Sequence, residues 1–463
     1  DLETTDIEIL SPTEATLPVR FDYSIAIDET DSLTVTTSGS GTGLLTGDFI
    51  NETFDNLSDR KQRAVITVTP YTVTDNGTLR CTGVDRTIDI WVEPTPRLSL
   101  VPAQDTICDL ETTDIEILSP TESTLPVRFD YSIAIDETDS LTVTTSGSGS
   151  GLVTGDFINE TFDNLSDRKQ RAVITVTPYT VTGNGTLRCT GVDRTIDIWV
   201  EPTPRLSLLP AQDTICDLET TDIEILSPTQ ATNPVRFDYT VAVDDSDSLN
   251  VTTSGSGSGL LTGDFINETF DNLSDRKQRA VITVTPYTIT GNGTLRCTGV
   301  DRTIDIWVEP TPRLSLLPAQ DTICDLETTD IEILSPTEAT LPVRFDYTVA
   351  VDDSDSLNVT TSGSGSGLLT GDFINETFDN LSDRKQRAVI TVTPYTVTGN
   401  GTLRCTGVDR TIDIWVEPTP RLSLVPAQDT ICDLETTDIE ILSPTQATNP
   451  VRFDYTVAVD DSD

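Results

Sequence analysis

Cysteine recurs at one interval throughout the chain: Cys81, Cys189, Cys297 and Cys405 follow one another at 108 residues, and so do Cys108, Cys216, Cys324 and Cys432. The residues around them repeat almost unchanged, so the chain is a tandem array. Four periods fill 432 of the 463 residues and the last 31 open a fifth copy. Asp1 corresponds to Asp109, and Asp463 falls inside a run that earlier continues as Ser248-Leu249-Asn250, which reads as a window on a longer array. A unit of this length buries a core of its own, whereas solenoid repeats of about 20–50 residues cannot. The expected domains are residues 1–96, 97–204, 205–312, 313–420 and the truncated 421–463.

Within the second copy the local pattern is that of strands. Val127, Phe129, Tyr131, Ile133 and Ile135 alternate with Arg128, Asp130, Ser132 and Asp136, a period of two that places one face in a core and the other in water. Thr113 to Leu118, Leu141 to Thr145, Leu152 to Ile158, Ala172 to Val181 and Thr195 to Val200 complete the predicted strands. Gly183-Asn184-Gly185 supplies a tight hairpin turn. The Ser/Gly run 146–151 reads as a mobile loop, and Asn159 to Gln170, with Phe162 and Leu165 three apart, as a turn or one helical turn. Pro202-Thr203-Pro204 makes a stiff exit. Trp199 lies out of phase with Ile196, Ile198 and Val200, so it faces a second surface or a contact between domains. The fold class is therefore all-β, a tandem array of immunoglobulin-like β-sandwiches with one per 108-residue repeat.

With 76 acidic against 29 basic residues the net charge is −47. That excludes nucleic acid, whose binding needs a basic face, and favours divalent cations or a self-repelling, extended array. Nothing approaches the roughly 18–20 consecutive apolar residues of a membrane helix, so no membrane insertion is expected of this segment. The chain has no histidine, and near-identical copies are a poor setting for an active site, so no catalysis is expected. The acidic cluster Asp244, Asp245 and Asp247 with Asn250 groups the hard oxygen ligands that Ca²⁺ takes, but without the glycine and distal glutamate of an EF-hand; calcium is the one cofactor to test, against an acidic hairpin turn. Asp167-Arg168-Lys169-Gln170-Arg171, the basic cluster of each copy, is a solvated loop or a contact with a neighbour's acidic face. Sequons at Asn159, Asn164 and Asn184 carry little weight in a chain this rich in Asn and Thr.

If Cys108 opens the first strand of a sandwich and Cys189 the last, both lie at one pole. Cys81 to Cys108 would span a strand, far beyond the roughly 4.4–6.8 Å between α-carbons that a disulfide permits. The expected bonds are Cys108–Cys189, Cys216–Cys297 and Cys324–Cys405. Metal binding by these cysteines is disfavoured by the lack of histidine and of C-x-x-C.

The order Val176-Thr177-Pro178-Tyr179, Cys189-Thr190-Gly191, Ile198-Trp199-Val200-Glu201-Pro202-Thr203-Pro204 and Thr214-Ile215-Cys216 resembles the PKD-like and immunoglobulin-like repeats of very large surface proteins of Bacteroidetes; Asp217 stands where that family has a small residue. The resemblance implies type IX secretion, display at the bacterial cell surface, and service in adhesion or gliding. It also implies O-glycosylation at Asp-Ser/Thr-aliphatic signals, here Thr106, Thr214, Ser248, Thr322 and Ser356. Two roles are expected of such an array. The first is a stalk or filament whose repeats, each about 35–45 Å long, contact copies in the same or neighbouring chains. The second is a multivalent module with a weak glycan- or calcium-dependent site in every repeat.

Overall fold

The structure is a computed structural model, and it describes all residues except 1, 14, 30–31, 75–76, 78, 182–187, 291–292, 294, 398–403 and 460–463. The turn Gly183-Asn184-Gly185 lies outside the described residues. The chain forms two compact units, one of Asp1–Arg205, Ser227–Val235 and Pro286–Val300, the other of Leu206–Leu226, Arg236–Thr285 and Asp301–Asp463.

In the first unit the second repeat shows the architecture whole. Ser99–Val101, Ile115–Leu118 and Phe157–Ile158 make one antiparallel sheet. Asp105–Cys108, Arg194–Glu201, Gln170–Val181, Arg128–Ile135 and Ser148–Leu152 make the other in that order, with Arg188–Thr190 added beside Gln170–Val181. Leu141–Val143 and Phe162–Asn164 pair separately. The two faces close on Ile117, Phe129, Ile158, Phe162, Ile174 and Ile198, all fully buried or nearly so. In the second unit the fourth repeat has the same strand order and the corresponding core. The protein is thus an all-β tandem of immunoglobulin-like sandwiches, and among the described residues there is no helix.

Three local expectations change. The Ser/Gly run is an edge strand rather than a loop, and its glycine is required: a Cβ on Gly149 would lie 2.2 Å from Cε1 of Tyr131. The Phe162 segment is a strand paired with Leu141–Val143, Phe162 opposite Val143, and its ring is fully buried in the core. Cys108 ends a strand rather than opening the first one. Ser99–Val101 belongs to one sheet, the chain crosses at Pro102, and Asp105–Cys108 then runs parallel to Arg194–Glu201 in the other.

A buried carboxylate anchors each sandwich. Glu160, with no exposed surface, accepts hydrogen bonds from Tyr131 Oη (2.6 Å), Ser146 Oγ (2.8 Å), the Gly147 amide (3.2 Å) and the Thr145 hydroxyl. Burial pushes its pKa up, but those four donors outweigh burial and hold it below the ordinary carboxylate value. In the fourth repeat Tyr347 donates to Glu376 at 2.7 Å, and burial together with that carboxylate pushes the phenol up to about 12. A phenol raised in the folded state stabilises fully below its ordinary value of 10.0 and ceases to as pH rises through about 12. The melting temperature is therefore expected to fall between pH 10 and 12, and a Tyr347→Phe variant to lose part of that alkaline step in a pH series of melting curves.

Candidate functional site

The candidate site is the joint between consecutive repeats, which recurs along the chain and gathers the disulfides, the basic cluster and Trp199. The disulfides show where it lies. Cys108 bonds Cys297 and Cys216 bonds Cys405, each across 189 residues with α-carbons 5.4 Å apart. The expected pairs Cys108–Cys189, Cys216–Cys297 and Cys324–Cys405 are overturned. The reason is polarity: Cys108 ends its strand, opposite Glu201, while Cys189 pairs with Thr180 on Gln170–Val181. Since Gln170 pairs with Val200, about ten residues of extended strand, roughly 33 Å, separate the two cysteines of one repeat. The bond instead joins the exit pole of one repeat to the entry pole of the next. Cys81, Cys189, Cys324 and Cys432 remain thiols.

Around the first bond, the linker and the basic cluster complete the contact. The buried carboxylate of Glu201 accepts hydrogen bonds from the amide of Thr232 (3.0 Å) and from its hydroxyl, while Lys169 Nζ lies 3.6 Å away. The same ammonium sits 4.9 Å over the ring of Trp199. Trp199 is half-buried on the outer face of the sheet, as its phase predicts, and its role is to cover the lysine that braces the joint. The Gln230 amide donates to the Asp167 carbonyl (2.6 Å), and Arg205 lies 3.4 Å from the Asp167 carboxylate. The basic run is thus a contact, not a solvated loop.

The set repeats with Glu93, Thr124 and Lys61, with Glu309, Thr340 and Lys277, and with Glu417, Thr448 and Lys385. At Glu93, burial raises the carboxyl pKa, but the Thr124 hydroxyl and amide and the Lys61 charge outweigh it and leave it lowered. The Cys-Thr-Gly motif also finds its reason here. A Cβ on Gly299 would lie 1.8 Å from the carbonyl oxygen of Pro204, so only glycine lets the cysteine strand of one repeat rest on the linker of the one before. A Gly299→Ala variant is expected to splay this joint, and disulfide mapping of the refolded protein should show Cys108–Cys297 formed several-fold more slowly while Cys216–Cys405 forms at the normal rate.

The proposed cation ligands are placed differently. Asp244 faces Arg279 at 3.3 Å, and Asp245 accepts from the Asp247 amide (3.0 Å) and the Ser248 hydroxyl (2.8 Å), closing its own turn. Asn250 projects from the Leu249–Val251 strand and is exposed. Among the described residues no group of three or more Cys, Asp or Glu side chains converges to hold a metal. A calcium ion would have to displace Arg279 and open the Asp245 turn, and melting curves with and without chelator read out whether it does. Thr106, Thr214 and Thr322 pair with Trp199, Trp307 and Trp415 across the parallel strands, and the Ser356 hydroxyl, like that of Ser248, donates to the neighbouring aspartate. Asn164 is spent on structure: its buried amide donates to the carbonyls of Arg168 and Val200, both at 2.9 Å, so that sequon is closed to a glycan.

No family model and no curated protein matches this sequence. Among solved structures, it is similar to titin domains I67–I69 in an E-to-A variant, with TM-score 0.32, 11% identity, and coverage of 70% of this chain and 98% of that one. It is similar also to the N-terminal four immunoglobulin domains of Dscam1 isoform 1.9 (TM-score 0.20, 9% identity, 90% and 95% covered). A third is the complex of Dpr2 Ig1–Ig2 with DIP-Theta Ig1–Ig3 (TM-score 0.23, 8% identity, 70% and 99% covered). The fold assignment rests on the strand topology itself.

Proposed function

We propose that this chain is a mechanical stalk: the repeat region of a large secreted cell-surface adhesin or surface filament, in which identical sandwiches supply reach and bonded joints supply stiffness. The observation that supports it is the interlaced pair of disulfides, in which each bond ties one repeat to the next and the loops 108–297 and 216–405 overlap. Pulling on the ends therefore loads the two bonds, which take the stretches 108–216 and 297–405 out of the path of the force. Disulfides of this kind persist in oxidising, extracellular surroundings, which agrees with export. The resemblance to Bacteroidetes surface repeats supports display at a bacterial surface and use in adhesion or gliding. Small-angle scattering of the oxidised chain tests the stalk: four repeats of about 35–45 Å should give a maximum dimension beyond about 140 Å, and a compact particle would sink it.

A further inference from the structure

The outer face of the three-stranded sheet carries a patch of side chains that neither the core nor the joints use. In the second repeat Ile115 lies opposite Ile158 and Glu116 opposite Phe157, and the bridge between Thr112 and Thr161 keeps the same register. Asp114 therefore stands opposite Asn159. Because side chains alternate along a strand, Ile115, Ile158 and Glu160 turn inward and are buried, while Asp114, Glu116, Phe157 and Asn159 share the outer face. Phe157 is 45% exposed, Asp114 and Asn159 are exposed, and Glu116 is half-buried.

Two features set this patch apart from an ordinary polar face. The exposed ring recurs: Phe265 and Phe373 are each 45% exposed as well, with Glu224 and Glu332 opposite them and Asn267 and Asn375 two residues on. The charge is also unanswered. Among the described residues Asp114 and Glu116 have no ion-pair partner, and the side-chain amide of Asn159 has no hydrogen-bond partner. Asp105 stands close to them, and burial, followed by the charges of Glu111 and Asp114, pushes its pKa up. Burial, with Glu219 and Asp222, does the same to Asp213. An aromatic face bordered by uncompensated carboxylates is complementary to a cation.

We propose that this face binds a cationic amino sugar, a glucosamine unit of a polysaccharide, with one site in each repeat. Cross-strand neighbours lie about 4.5–5.5 Å apart and residues i and i+2 of a strand about 6.6 Å apart, so the four side chains frame an area close to that of one pyranose ring. The apolar C–H face of the sugar rests on Phe157, its ammonium lies against Glu116 and Asp114, and the Asn159 amide takes a hydroxyl. A lysine side chain would use the ring and the carboxylates but leave the amide idle. A neutral sugar would leave the carboxylates uncompensated. Each site is shallow and weak by itself, and recurrence supplies the strength, because a polymer held at one repeat is at raised effective concentration for the others. The net charge of −47 adds long-range attraction for a polycation.

The test is binding of the 463-residue chain to three immobilised polymers: polyglucosamine, its N-acetylated form and polylysine. Binding to polyglucosamine well above that to the N-acetylated form is expected. A variant with Phe157→Ser and the same change at Phe49, Phe265 and Phe373 should bind polyglucosamine about tenfold more weakly or worse, with polylysine binding unchanged. A second variant, Asn159→Ala with the same change at Asn51, Asn267 and Asn375, removes only exposed amides; it should also weaken polyglucosamine binding, and it decides the matter if the serine variant misfolds. No binding to polyglucosamine overturns the proposal, as do variants that bind it like the wild type, which would leave charge attraction only. Equal binding of the N-acetylated polymer overturns it too, as does a loss of polylysine binding in step with polyglucosamine. The site goes beyond the stalk reading and fails separately from it: a long rod that ignores polyglucosamine removes the site and leaves the stalk.

Discussion

Reducing Cys108–Cys297 and Cys216–Cys405 is expected to lengthen the fully unfolded chain on the order of 700 Å in a single-molecule pulling experiment, at up to ~3.5 Å per residue released. Each bond closes 189 residues. Because the two loops overlap, the shortest covalent path between the ends runs to Cys108, across to Cys297, back to Cys216 and across to Cys405, leaving roughly half of the chain slack. The same constraint acts at equilibrium. On the chain-entropy model a loop of this size removes about 5 kcal/mol of unfolded-state freedom, so reduction should lower the melting temperature of the joined repeats, and a Cys297→Ser variant should reproduce the part due to one bond. Equal contour lengths with and without reductant would mean that neither bond forms.

The second large effect is expected at the buried carboxylate. Glu160→Ala should destabilise the second repeat by about 3 kcal/mol or more, since four donors lose their acceptor at ~1 kcal/mol each, while Glu137→Ala on the exposed turn should change little. Calorimetry on the whole array would show one repeat unfolding early and the rest unmoved. The acid side follows with a definite sign. Glu160 is held below its ordinary value of 4.5 in the folded state, so its stabilisation is complete above that value and fades as pH falls through the folded value. Acid lability below about pH 4.5 should be blunted in Glu160→Gln. An Ala variant that melts with the wild type would show that the tyrosine and hydroxyl network is not held by this carboxylate.

Both effects lie where linear reading gave no purchase. The alternation from Val127 to Ile135 and the out-of-phase Trp199 were legible because strand geometry turns every second side chain to the same face whatever the rest of the molecule does. Glu160 was not: in the sequence it is one acid among 76, and it becomes the anchor only when Tyr131 and residues 145–147, which are distant in the chain, close over it. The basic run at Asp167–Arg171 was open between solvent and contact because Arg205 and Gln230, which meet Asp167, lie in the next repeat, while Glu201, which meets Lys169, lies on a later strand of the same one.

The period of 108 residues by itself determined that the protein is an array of like sandwiches, because a unit of that length closes its own core and identical sequences close it identically. Which cysteine meets which was decided only by tertiary structure. Spacing gives the interval between two thiols but not the direction of the strand that carries one. Pro102, between Leu-Ser-Leu-Val and Asp-Thr-Ile-Cys, was the one local sign that the first strand changes sheets. By running parallel to Arg194–Glu201, that strand delivers Cys108 to the exit pole, a full strand length from Cys189 and within bonding distance of the next repeat.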